Sequence, residues 1–164
     1  RNRGAHVITT VGAPEKSNIV ERLGADHVVL YQEEDFCEAV QFVTGGQGVD
    51  VVYDAVGKQT IASSIRCLKQ RGTCVNYGGS SGLVETVSPL ALAEAGSVFF
   101  TRPHLAHYMA DRVEIQSRCV DLFEAVASGK LSVSIDQEFE LSEAVNAHAR
   151  LELRGTKGKL LLRT

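Results

Sequence analysis

Gly12, Lys16 and Tyr31 are the first residues along the chain whose types and spacing suggest chemistry. The run Thr9-Thr10-Val11-Gly12 ends without a carboxylate, and Lys16 stands on the first turn of the next helix. Lys16 alone reads as a solvated helix lysine. Beside a glycine that leaves room and a tyrosine that can donate a phenolic hydrogen bond, its ammonium suits a phosphate. The second stretch is Val49 to Gly57, V-D-V-V-Y-D-A-V-G. Val51, Val52 and Tyr53 suit a strand buried on both faces, as in a parallel sheet covered by helices. Ligands in open α/β sheets bind outside the carboxyl ends of the strands, so Asp54 to Gly57 lies where a ligand could sit. Asp54 reads equally well as a turn cap and as a direct ligand.

Other chemistries find no support. His6, His27, His104, His107 and His148 form no zinc constellation; His104 and His107 are three apart, with no third ligand at a plausible spacing. We expect no metal. The loop Gly78-Gly79-Ser80-Ser81-Gly82 follows a strand and has G-x-S-x-G spacing, but no His/Asp pair is placed to serve it as in a serine hydrolase. Cys37, Cys67, Cys74 and Cys119 form no C-x-x-C pair and read as reduced, semi-buried thiols of a cytoplasmic protein.

The elements that position these residues alternate between strand and helix. Ala5 to Val11 reads as a strand, and Pro14 suits the first position of a helix with Ile19, Val20 and Leu23 on its apolar side, stopped by Gly24. His27 to Tyr31 is a second strand, and Phe36, Val40 and Val43 recur at helical spacing. After Gly57, Ile61, Ile65 and Leu68 mark a helix that Arg71-Gly72 ends, and Thr73 to Tyr77 is a strand. Pro89 to Ala95 reads as a short helix, Ser97 to Thr101 as a strand, and Asp111 with Glu114 as the start of a longer helix closed by Gly129. Strands alternating with helices at this spacing predict a mostly parallel, doubly wound α/β sheet with right-handed crossovers. Near Ser132 the pattern changes to strand, helix from Ser142, and a terminal strand from Lys159 to Leu162.

The totals agree with one ordinary globular domain of 164 residues, 44% hydrophobic and 23% charged. A net charge of −3 argues against a general nucleic-acid binder, and no apolar run approaches the roughly 20 residues of a membrane span.

These residues resemble a family. T-V-G-A-P-E-K at Thr10 to Lys16, L-G-A-D-H-V at Leu23 to Val28 and V-D-V-V-Y-D-A-V-G carry the likeness, followed by G-G-S-S-G, T-R-P at Thr101 to Pro103, A-H-A-R-L-E and G-K-L-L-L. In order and spacing the chain is similar to the nucleotide-binding half of a medium-chain dehydrogenase/reductase, in the zinc-free quinone oxidoreductase (zeta-crystallin-like) branch. The resemblance implies a Rossmann-type sheet lacking its first strand and Gly-rich turn. Residues 1–131 would form a partial dinucleotide-binding domain, and residues 132–164 a return segment of a GroES-like catalytic domain. The strands at Ala5–Val11 and Val49–Asp54 would then each present an unpaired edge.

The implied activity is NADPH-dependent hydride transfer to a quinone or an α,β-unsaturated carbonyl by the full-length enzyme, the isolated chain being inactive. NAD-binding Rossmann folds carry an acidic residue after the second strand, where this chain has Gly12. In the family, residues matching Lys16 and Tyr31 bind the adenosine 2′-phosphate, and Arg154 matches an arginine that reaches it. Val56 and Gly57 would touch ribose or pyrophosphate through apolar and backbone contacts. Tyr77, Gly78, Thr101 and Arg102 would flank the nicotinamide. No catalytic residue is assigned, and a homodimer through the Ser97–Thr101 strand is expected. The alternatives are a non-enzymatic binding or structural protein (crystallin-like or RNA-associated) and the enoyl-reductase region of a multidomain synthase.

Overall fold

The computed structural model describes residues 4–153 and 156–164. Two compact units are formed, one running to Met109 and one from Ala110. In the first, strand β1 (Ile8–Val11) leads into helix α1 (Pro14–Arg22), with Pro14 at its start. Strand β2 (His27–Leu30) and helix α2 (Phe36–Val43) follow. Asp35 caps α2, its carboxylate accepting from the Cys37 N–H at 2.7 Å. Then come β3 (Val49–Asp54), α3 (Ile61–Arg66), β4 (Leu68–Asn76), α4 (Pro89–Glu94) and β5 (Phe99–Thr101). All pairings are parallel, β1 with β2 in one sheet and β3-β4-β5 in another. The α/β, Rossmann-type expectation holds.

Several boundaries differ from the sequence reading. Strand β1 starts at Ile8, because Val7 is tied to the turn before β2: its N–H donates to the Asp26 carboxylate at 2.8 Å. Leu68 is not on the helix: α3 stops at Arg66, and Leu68 opens β4 opposite Val49. Helical spacing misleads here, because Leu68 fills the same core as Ile65 from a strand. Arg71 and Gly72 end no helix. They lie inside β4, where the register shifts between Val49 and Val51 and Arg71 takes a φ of 60°. Strand β5 begins at Phe99, since Gly96 (φ 105°) and Ser97 (φ 56°) form the left-handed turn that ends α4.

Two apolar clusters hold this unit together. Ile65, Leu68, Cys74 and Val98 form one, and Cys37, Val40 and Cys67 the other, with Val49 and Val52 of β3 packed against both. Each fully buried aliphatic side chain contributes about 1.5–3 kcal/mol. Burial pushes the Cys74 thiol up to about 12 and the Cys67 thiol higher still, so both stay protonated and unreactive. Strand β3, however, is not buried on both faces. In register, Val52, Cys74 and Phe100 face the helices, while Val51, Thr73 and Phe99 line the opposite face. Val51 is 41% exposed, Tyr53 71% and Phe99 62%.

The second unit contains α5 (Arg112–Ala127), β6 (Ile135–Glu140), α6 (Ala144–Glu152) and β7 (Lys159–Arg163), with β6 and β7 parallel. Asp111 caps α5 by accepting from the Glu114 N–H at 2.9 Å. Asp136 accepts from Arg150 Nε and Nη2 at 3.1 and 2.9 Å and from the Lys157 N–H at 3.2 Å. The Arg150 guanidinium, helped by that N–H, holds the Asp136 carboxyl below its ordinary value. A depressed carboxylate stabilises the fold above its unfolded pKa and ceases to do so as pH falls through the folded one. The stability difference between wild type and Arg150→Ala is therefore expected in full near neutral pH. It should begin to shrink at about pH 4 and vanish at lower pH. Urea melts across that range check this; a difference independent of pH would exclude the linkage.

Candidate cofactor site

Every candidate residue of the first unit lies at or just beyond the carboxyl end of a strand. At the first corner, β1 ends in buried Val11, and the chain turns through Gly12 and Ala13 into α1. Tyr31 follows β2, its N–H donating to the Val11 carbonyl at 3.3 Å. A Cβ built on Gly12 would lie 3.1 Å from the Tyr31 hydroxyl and 3.4 Å from two ring carbons. The room beside Gly12 is thus already filled by the tyrosine ring. Lys16 sits in the first turn of α1, its N–H donating to the Ala13 carbonyl at 3.0 Å. A lysine, a phenol and a helix start meet at this corner, with no carboxylate at the strand end and Glu15 beside Lys16 in the first helical turn.

The second corner is a pair of interlocked loops after β3 and β4. Asp54 is 4% exposed and ends β3. Its Oδ1 accepts from the Val56 and Gly57 N–H groups at 2.9 and 2.8 Å, and its Oδ2 from the Thr60 and Ser64 hydroxyls at 2.8 and 2.7 Å. Its carbonyl accepts from the N–H groups of Tyr77 and Gly78 and from Asn76 Nδ2. Ser81 donates its N–H and hydroxyl to the Val56 carbonyl at 2.9 and 2.8 Å, and its hydroxyl accepts from the Gln59 N–H at 3.0 Å. Gly57 takes a φ of 87°, and a Cβ there would lie 2.6 Å from the Gly82 carbonyl oxygen. Only a glycine fits both the dihedral and the space.

Val56, Gly57, Tyr77 and Gly78 are therefore brought together as one double loop. Thr101 ends β5 in register with Val75, on the same sheet, and Arg102 follows it, donating to the Pro103 carbonyl at 3.1 Å. Gly12, Lys16 and Tyr31 cluster at the end of the other sheet. Arg154 lies outside the described residues. Asp54 proves to be an internal acceptor, deciding between the two readings left open for it. Thr60, Ser64, Asn76 and Ser81 were not anticipated. The available signal was two hydroxyls four residues apart on an apolar helix, downstream of an acid at a strand end.

Elsewhere, an open depression of about 400 Å³ between β2 and α2 is lined by His27, Val29, Glu34, Glu38 and Phe42 among others. It contains no candidate residue, and its carboxylates disfavour an anion. No group of three His, Cys, Asp or Glu side chains able to hold a metal ion occurs among the described residues. No helix among them is long and apolar enough to cross a membrane.

Comparison with known proteins supplies the family. A sequence profile described as zinc-binding dehydrogenase matches residues 23–162. The chain is 44% identical over 163 residues to the 2-haloacrylate reductase of a Burkholderia species, covering 99% of this chain and 49% of that protein. It is 42% identical over 161 residues to quinone oxidoreductase 1 of Escherichia coli (strain K12), covering 97% and 49%. The crystal structure of the Escherichia coli quinone oxidoreductase complexed with NADPH superposes with a TM-score of 0.93 at 40% identity, covering 98% of this chain and 50% of that one. The chain spans about half the length of the curated relatives it matches. The family's name mentions zinc, but the described residues do not assemble a donor set for it. With a matching family profile over most of its length and a parallel α/β fold shared with these enzymes, the chain belongs to the zinc-binding dehydrogenase family of the medium-chain dehydrogenase/reductase superfamily.

Proposed function

We propose that the chain is the cofactor-binding part of an NADPH-dependent reductase that delivers hydride to a quinone or an α,β-unsaturated carbonyl. The observation that carries this is the Gly12 corner. NADH-selective sites need a carboxylate after this strand to accept from the ribose 2′-hydroxyl. Here the Tyr31 ring fills that space and Lys16 lies one turn on. Lys16 and Tyr31 would hold the 2′-phosphate. Val56 and Gly57 would wall the middle of the cofactor, and Tyr77, Gly78, Thr101 and Arg102 would flank the nicotinamide. When bound, the nicotinamide supplies the hydride; the protein's share is binding and orientation.

The functional division is proposed at residue 131, with residues 132–164 returning to a catalytic domain. We also propose a homodimer through β5, whose outer edge has no strand partner among the described residues and whose Phe99 is exposed. A cytoplasmic setting fits the four free cysteines.

The test is turnover by the full-length enzyme with a benzoquinone and with a 2-haloacrylate. Oxidation of NADPH is expected, with kcat/KM about tenfold or more above that for NADH, the scale of one charge-assisted contact. A preference for NADH would overturn the phosphate assignment. Cofactor binding without oxidation, on any quinone or enone tried, would favour the crystallin-like binding protein instead.

A further inference from the structure

We propose that Asp54 is the positioning residue of the cofactor face, and that by taking up the N–H groups of the Val56–Gly57 turn it makes that turn a wall offering apolar contact only. The inference rests on the NADPH reading above and deepens it. A Gly-containing turn at a strand's carboxyl end ordinarily invites the view that its N–H groups face a pyrophosphate. Here both donors point the other way, onto Asp54 Oδ1.

The carbonyls of the same turn are engaged as well. That of Ala55 accepts from the Ser80 N–H, that of Val56 from the Ser81 N–H and hydroxyl, and that of Gly57 from the N–H groups of Thr60 and Ile61. What is left to meet a ligand is the Val56 side chain and the carbon surface of the backbone.

The carboxylate is suited to this task. It is buried, and no ion pair among the described residues includes it. Its four donors come from the turn itself and from the start and middle of α3, so one side chain fixes the turn to the helix. Its carbonyl meanwhile holds the second loop through Tyr77, Gly78 and Asn76. The formal negative charge behind the turn also gives an anionic pyrophosphate no attraction to it. Discrimination between the two cofactors then falls to the Lys16 corner, while this turn contributes shape common to NADPH and NADH.

That separation sets the experiment, run on the full-length enzyme. Asp54→Ala should raise the KM values of NADPH and NADH alike, by about tenfold or more, since the loss of several buried hydrogen bonds releases the turn. Asp54→Asn should recover most of that loss: its carbonyl still accepts the two N–H groups, and its amide donates to hydroxyls that rotate to accept. Hydrogen exchange at the Val56 and Gly57 amides, measured without cofactor, should be slow in wild type and Asp54→Asn and fast in Asp54→Ala. If Asp54→Ala fails to fold, Thr60→Val combined with Ser64→Ala removes two of the four donors and should speed the same exchange. Unchanged KM values in a folded Asp54→Ala, an Asp54→Asn as impaired as the alanine variant, or exchange unaffected by any of the variants would overturn the proposal. A full-length protein without NADPH activity would instead count against the reductase reading, and the exchange measurement would still decide the role of Asp54.

Discussion

Lys16→Ala in the full-length enzyme is expected to raise the KM for NADPH by about 10- to 100-fold while leaving that for NADH within about threefold. A hydrogen bond to a charged group contributes about 1.5–3 kcal/mol, which corresponds to that range. NADH lacks the 2′-phosphate and so loses nothing specific. The geometry adds a second arm. Introducing the acid of an NADH-type site as Gly12→Asp puts a Cβ 3.1 Å from the Tyr31 hydroxyl, so the tyrosine must move before the new carboxylate has room. Gly12→Asp alone should therefore weaken NADPH without gaining NADH, whereas Gly12→Asp with Tyr31→Ala should recover NADH. Initial-rate kinetics with both cofactors check this. Equal effects of Lys16→Ala on NADPH and NADH would remove Lys16 from the phosphate site.

Much of the architecture is legible in the sequence because end signals in this chain are local. Pro14, Asp111 and the glycines after the helices act within one turn, and α1 and α5 begin where they indicate. Leu68 misleads because i, i+3 and i+4 spacing reports only that side chains reach one core. It does not tell whether the last does so from a helix or from a strand with a shifted register. The exposure of Val51 and Tyr53 is hidden for a related reason: an apolar strand announces that it can be covered, not that the described residues cover it. At the candidate site, the glycines and Lys16 stand out by type. The hydroxyl network does not. The Ser81 hydroxyl finds the Val56 carbonyl 25 positions away, and Asn76 finds the Asp54 carbonyl 22 positions away, pairings that the topology creates and composition does not reveal.

Gly78→Ala is expected to be among the most damaging single substitutions in the chain, costing about 3 kcal/mol or more of stability and cofactor binding with it. Gly78 sits where the second loop presses directly on the first. A Cβ there would overlap the Ala55 carbonyl oxygen and lie 2.7 and 2.8 Å from the Ala55 Cα and carbonyl carbon. These are backbone atoms, so no rotamer change relieves the contact. Nor can Ala55 retreat, because the residues on either side of it are held by Asp54 and its carbonyl accepts from Ser80. Gly46 is the informative control. It has a φ of 81° and nothing within 4 Å of its would-be Cβ, so Gly46→Ala incurs only the left-handed penalty of about 1–2 kcal/mol. If conformational freedom were what mattered at these glycines, Gly46→Ala would be the worse variant. If close approach of two loops decides, Gly78→Ala loses more stability than Gly46→Ala in a urea melt and raises the KM of both cofactors, while Gly46→Ala leaves the KM values alone. Equal losses for the two variants would show that the loops can separate without consequence, and the double loop would then not be the rigid wall on which cofactor positioning depends.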